Sequence, residues 1–161
     1  VSDNVLSVVP SDPRWQPDRA TGQRVAELVK SLTLVDGDGG WCEVDWHDDV
    51  ALVDCGGNLE RISCPSCGRQ LDDEWWRDLL EERHTSGSGL ADLAVVVPCC
   101  GTVTTLDALQ YDWPVAFARF EIAVWNPSRT SGPGDGRLDD ASTAAVERAL
   151  GHPIRQVRAH Y

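Results

Sequence analysis

The chain has 161 residues, 42% hydrophobic and 25% charged, which is the size and make-up of one folded domain and excludes a disordered or fibrous chain. Lys and Arg number 14 against 26 Asp and Glu, a net charge of −12, and such a surface repels a phosphate backbone, so nucleic acid is not an expected partner. The longest apolar run, Leu93 to Val97, is far short of the ~20 residues that span a bilayer, and Val1-Ser2-Asp3-Asn4 has neither the basic region nor the apolar core of a secretion signal, so a cytoplasmic protein is expected.

Val5 to Val9 is predicted as a first strand, ended by Pro10, with Pro13 and Pro17 continuing an extended lead-in that contains Trp15. Asp18 is a good helix cap, and Thr21, Val25, Leu28, Val29 and Leu32 then follow the i, i+3, i+4 spacing of an amphipathic helix. The turn Asp36-Gly37-Asp38-Gly39-Gly40 is no calcium loop, because Trp41 stands where that loop needs glycine. Trp41 to His47 alternates, placing Cys42, Val44 and Trp46 on one face and Glu43, Asp45 and His47 on the other, as in a half-buried strand.

Val50 to Val53 and Leu59 to Ser63 flank Cys55-Gly56-Gly57-Asn58 and are predicted as a hairpin. A second helix begins at Leu71-Asp72-Asp73-Glu74, with acidic residues where the macrodipole favours them and a buried stripe of Trp76, Leu79, Leu80 and Arg83. Ser86 to Gly89 reads as a loop and Leu90 to Val97 as one buried strand; Thr105 to Gln110 allows a single helical turn. Pro114 opens a strand to Trp125 with Ala118, Phe120, Ile122 and Val124 toward the core, and Asn126 to Gly136 reads as a loop. Asp139 or Asp140 caps a last helix ended by Gly151, and Ile154 to Tyr161 is a final strand.

Outside residues 50–110 the order is strand, helix, strand, then strand, helix, strand. The expected fold class is therefore α+β: one domain over 1–161 with the split βαβ order of ferredoxin-like antiparallel sheets, and 50–110 as a metal-binding insert.

That insert holds Cys64-Pro65-Ser66-Cys67-Gly68 and Pro98-Cys99-Cys100-Gly101. Two residues between cysteines let both thiolates face one ion, and the following glycine permits the turn. The first motif resembles the knuckle of zinc ribbons and rubredoxins, a resemblance that covers about a third of the chain and implies a zinc ion held by Cys64 and Cys67. A ribbon normally repeats Cys-x-x-Cys, whereas Cys99 and Cys100 are adjacent, and neighbours in an extended strand point to opposite faces. The remaining ligands are expected in this order: Cys99 with Cys100, then one of them with His84, then Cys55; His47 is a further alternative. Close cysteine pairing without a secretion signal favours metal over disulfides.

No phosphate-binding glycine loop, His-Glu-x-x-His or nucleophile elbow is present. His47-Asp48-Asp49 reads as a solvated turn, with acid-base groups as the alternative; Asp54 and Asp107 leave the same two readings open; and His152 and His160 beside Arg155 and Arg158 read as a solvent-facing edge-strand surface. Seven tryptophans stand beside two Phe and two Tyr, and Trp is a favoured interface anchor. The acidic helix, with Asp72, Asp73, Trp75, Asp78 and Glu82, is the expected docking face for a basic protein, although Trp75 packing on the sheet serves equally well. The reading is a non-enzymatic, zinc-stabilised interaction module. Its composition, rich in Asp, Arg, Ala, Val and Trp and poor in Lys, resembles small proteins of high-GC bacteria; one concrete version is an immunity- or antitoxin-like protein that blocks a basic toxin. The alternatives are a thiol-disulfide oxidoreductase at Cys64 and Cys67, since Cys-Pro-x-Cys also resembles glutaredoxins, and a zinc-dependent hydrolase with an open ligand position.

Overall fold

The computed structural model describes residues 2–85, 89–128 and 136–161. It is a mixed α/β structure of antiparallel sheets and three α-helices. In chain order the elements are β1 (Asn4–Pro10), α1 (Arg19–Thr33), β2 (Trp41–Val53), β3 (Ile62–Ser63), β4 (Gln70–Leu71), α2 (Asp73–Arg83), β5 (His84–Thr85), β6 (Gly89–Leu90), β7 (Ala94–Val96), β8 (Val103–Thr105), β9 (Gln110–Tyr111), β10 (Ala116–Trp125), α3 (Asp140–Leu150) and β11 (Ile154–His160), with one 3₁₀ turn at Leu106–Ala108.

The main sheet has the order β11-β1-β10-β2-β6-β5, antiparallel throughout. Each long helix starts on a side-chain cap: the Asp18 carboxylate accepts from the Thr21 N–H at 2.7 Å, and Asp139 accepts from the Ser142 N–H at 2.7 Å. Gly151 ends α3 with φ 76°, a conformation that favours glycine. These two helices cover one sheet face, where Leu6, Val8, Phe120, Ile122 and Val124 pack with Val25, Val29, Val146 and Leu150. Gly22 lies against the Trp46 indole so closely that an added methyl would collide with it, so only glycine lets α1 settle there.

The opposite face is covered only at one end. There Val9, Val157, Ala116 and Phe117 form one core with Ile62, Leu71, Trp76, Leu93, Val95, Val97, Leu106 and Leu109. The cysteine-bearing segment thus shares its core with the sheet. Its own strands are short: β4-β3-β9 make one small sheet and β7-β8 another. The Arg83 guanidinium, at the end of α2, donates to the carbonyls of Asp92 and Ala94 and so ties the helix to the start of β7.

Three expected elements differ. The two strands predicted on either side of Asp48 and Asp49 are one strand, β2, with a bulge in which His47 to Val50 stand opposite Arg119 alone. The Gln16 amide holds that bulge by donating to both His47 O (3.2 Å) and Arg119 O (3.1 Å). The expected hairpin around Cys55-Gly56-Gly57-Asn58 does not form: β3 pairs with β4 and β9, and the Gly57 N–H donates instead to His160 O at 3.1 Å. Leu90 to Val97 is broken into β6 and β7, and β7 alternates, with Val95 buried and Val96 exposed. Most of the loop expected at Ser86 to Gly89, and 129–135 of the one expected at Asn126 to Gly136, lie outside the described residues.

Candidate metal centre

The two cysteine motifs form turns with the same hydrogen-bond pattern. In the first, the Cys64 N–H donates to Arg69 O (2.9 Å) and the Gly68 N–H to Cys64 O (3.0 Å); in the second, the Val97 N–H donates to Thr102 O (3.0 Å) and the Gly101 N–H to Val97 O (2.9 Å). Gly68 and Gly101 close their turns at φ 75° and 72°, a left-handed conformation that a side chain would strain. The turns join β3 to β4 and β7 to β8. Position for position, Val97 sits where Cys64 does, Cys99 where Ser66 does, and Cys100 where Cys67 does. That offset answers the problem of adjacent cysteines: at a turn, unlike in a strand, neighbouring side chains can converge.

They do converge. The sulfurs of Cys64, Cys67, Cys99 and Cys100 all lie within 4.8 Å of one another. Cys64 Sγ is 3.8 Å from Cys100 Sγ, and Cys67 Sγ is 3.3 Å from Cys99 Sγ. A disulfide needs about 2.05 Å, so these are four free thiols. Four thiolates tetrahedrally around an ion at ~2.3 Å stand roughly 3.8 Å apart, and the observed spacing brackets that value. The donor set and the spacing therefore suit a metal ion.

The electrostatics run the same way. The Cys67 and Ser66 N–H groups, 3.5 and 3.4 Å from Cys64 Sγ, lower that thiol to about 6. The Thr102 hydroxyl at 3.2 Å lowers Cys100. Burial, with three sulfur neighbours, pushes Cys99 up to about 12. Four sulfurs this close cannot all ionise unaided; a cation among them reverses the repulsion. Cys64 is fully buried at the rim of the shared core, Cys99 is half-buried, and Cys67 and Cys100 are exposed.

The alternative ligands lie elsewhere. Cys55 is a buried core thiol outside the group of four, its pKa raised by burial. His84 begins β5 and lines a groove of about 670 Å³ with Leu80, Glu81 and Leu90. His47 sits in the β2 bulge. Cys42 is half-buried behind the helices, where burial pushes its thiol up to about 11. On α2, Asp72, Asp73, Asp78 and Glu82 are exposed, while Trp75 is half-buried against the shared core. Asp72 caps that helix by accepting from the Glu74 N–H at 2.8 Å.

Two features were not foreseen from the sequence. Thr102 is a hydroxyl partner of Cys100, legible only once the two turns are aligned. On the bare end of the sheet, Trp41, Trp125 and Tyr161 stack in a row beside Glu43, Asp45, Asp54 and Glu121; only the alternation of β2 hinted at this outward face. No family model matches the chain, and no curated protein or solved structure matches it either. No described helix is long and apolar enough to cross a membrane.

Proposed function

We propose that this protein is a non-enzymatic, zinc-stapled acidic interaction module. The observation that carries the reading is the convergence of four thiols from two matched turns into a group with tetrahedral spacing. Zinc suits an all-thiolate tetrahedral set, and four protein sulfurs leave no open position for water or substrate. Such a closed site fastens structure. This speaks against the hydrolase reading.

The strand order β11-β1-β10-β2, with α1 and α3 on one face, supports a ferredoxin-like split βαβ core carrying a zinc-ribbon-like insert at 50–110. A partner is expected to be a basic protein, met by the exposed carboxylates Asp72, Asp73, Asp78 and Glu82 of α2, as an immunity- or antitoxin-like protein would meet a toxin. The low pKa of Cys64 favours a thiol oxidoreductase as second reading. Against it, Cys64 is fully buried and follows a strand of a hairpin, with no helix N-terminus at its sulfur.

Metal analysis of the purified protein tests the proposal. One zinc per chain is expected, held against mild chelation and lost in Cys64→Ser and in Cys67→Ser. Unchanged zinc in both variants would sink it. Rapidly titrating thiols at Cys64 and Cys67 in the zinc-loaded protein would favour the redox reading instead. For the partner, co-purification should weaken as salt rises; capture indifferent to salt argues against electrostatic docking.

A further inference from the structure

The end of the sheet that neither helices nor cysteine turns cover is built unlike the rest of the surface. Asp45 and Glu121 are directly opposed cross-strand neighbours on β2 and β10. Like charges in that position are destabilising. Glu43 and Asp54 line the same groove. Among the described residues, none of these four carboxylates has a Lys or Arg in ion-pair contact, and Asp45 and Asp54 act on Glu121 against its ionisation. What sets the groove apart is that two of its carboxylates face each other across neighbouring strands.

The carboxylates are held in place. Glu43 accepts from two indoles, Trp41 Nε1–H at 3.2 Å and Trp125 Nε1–H at 3.3 Å. The Tyr161 hydroxyl donates to Asp54 Oδ1 at 2.9 Å, and the Ser7 hydroxyl to Glu121 Oε2 at 2.6 Å. Beside them the rings form a ladder: Trp41 on Trp125 at 5.4 Å and 3° between planes, then Trp125 on Tyr161 at 6.1 Å and 22°. Trp41 and Tyr161 remain 44% and 56% exposed, which costs apolar hydration, and Tyr161 lines the groove itself. The groove measures about 210 Å³, below the ~300 Å³ at which small-molecule sites begin and of the order of one long side chain.

We propose that this groove docks an arginine side chain presented by a basic protein segment. A guanidinium is planar, so it stacks on the exposed Tyr161 ring that lines the groove while its N–H fork reaches paired carboxylates; an ammonium does only the second. The arginine supplies the missing counter-charge between Asp45 and Glu121, and the net charge of −12 draws it in. This surface uses none of the α2 residues or the cysteines, so it stands or falls apart from the reading given above.

The probe is a fluorescein-labelled alternating Gly-Arg peptide, compared by anisotropy at low ionic strength with a Gly-Lys peptide of equal length. The arginine peptide is expected to bind several-fold tighter. Asp45→Asn with Glu121→Gln should weaken it about tenfold while raising Tm by about 2 °C, because these groups serve binding at the expense of stability; zinc content stays unchanged. Asp78→Asn with Glu82→Gln on α2 should alter binding less than about twofold. In the unsubstituted protein the Nε1–H resonances of Trp41 and Trp125 should shift as peptide is added. Equal affinity for the two peptides, loss of binding only in the α2 variant, indole signals unmoved at saturation, or displacement by millimolar calcium would each overturn the proposal.

Discussion

The two faces of the main sheet are closed by different means. On one, α1 and α3, 15 and 11 residues long, lay continuous apolar stripes on β1, β10 and β2. On the other, cover comes from strands of two or three residues, one helix with a single buried side chain, Trp76, and two cysteine turns. Regular elements of that brevity bring few backbone hydrogen bonds and little apolar area of their own. The difference teaches where a metal is worth having: a site fastening two small hairpins substitutes for length, whereas the helix face has no need of it.

The largest expected effect separates the faces directly. If the four thiols hold zinc as proposed, a strong chelator should forfeit stabilisation on the scale of the ~10 kcal/mol associated with structural zinc. Hydrogen exchange is then expected to accelerate across residues 62–111, while β1, β10 and α1 keep their protection. Uniform acceleration over both faces would show that the metal holds up the whole molecule and erase the contrast.

Phe117 and Phe120 offer a matched second comparison, since both are fully buried on β10 but belong to opposite cores. Each Phe→Ala change should cost ~3–5 kcal/mol in the zinc-loaded protein. Only Phe117→Ala, whose core includes Cys64, should also lower zinc affinity, as read by competition with a chromogenic chelator. Equal zinc affinity in the two variants would mean that the metal site is insulated from the core beneath it.

The helix face was also the legible one. Val25, Val29, Ile122 and Val124 recur at helix or strand period over ten residues or more, and the caps Asp18 and Asp139 stand beside them. Periodicity needs length, and β3, β4, β7 and β8 are too short to carry it. Asp48-Asp49 looked like a turn because what makes it a bulge is Gln16, 31 residues away from His47 in sequence. The cysteines themselves were conspicuous. Their convergence was the first expectation, but how adjacent cysteines achieve it was hidden, because it depends on Val97 taking the place of Cys64 in the second turn, a backbone equivalence that spacing conceals. Trp75 was legible as an aromatic on an acidic helix, but its packing against the shared core depends on partners far along the chain.

A smaller effect tests how the segment is wired without its metal. The Trp76 Nε1–H donates to the Tyr111 hydroxyl at 3.2 Å, which donates in turn to Leu106 O at 2.7 Å. This relay links α2 to the 3₁₀ turn, and burial raises the Tyr111 pKa, keeping the phenol a donor. Tyr111→Phe leaves the indole N–H and the carbonyl short of a partner, at a cost of about 1–3 kcal/mol. Denaturant unfolding with zinc content unchanged is the check. A variant as stable as the parent would mean that water replaces the hydroxyl.

The smallest effect belongs to the bare end of the second face, where the sign differs. Glu121 is mostly withdrawn from water; desolvation, together with Asp45 and Asp54 and against the Ser7 hydrogen bond and His47, raises its pKa above the ordinary glutamate range. A carboxyl with a raised folded-state pKa binds protons more readily in the native than in the unfolded protein. Its contribution to stability is therefore favourable only where protonation is possible, and falls as pH rises from the unfolded-state value through the folded-state one. Above both values the charged form is a net penalty. Glu121→Gln removes that penalty and retains an oxygen to accept from Ser7, so at pH 7 it should raise stability by a few tenths to ~1 kcal/mol, the range for opposed like charges on a sheet. At pH values below the unfolded-state pKa, where both states of the parent are protonated, the two proteins should converge. Parallel urea titrations at neutral and acid pH decide it: a gain that persists undiminished in acid cannot come from charge, and would move the explanation to packing of the amide.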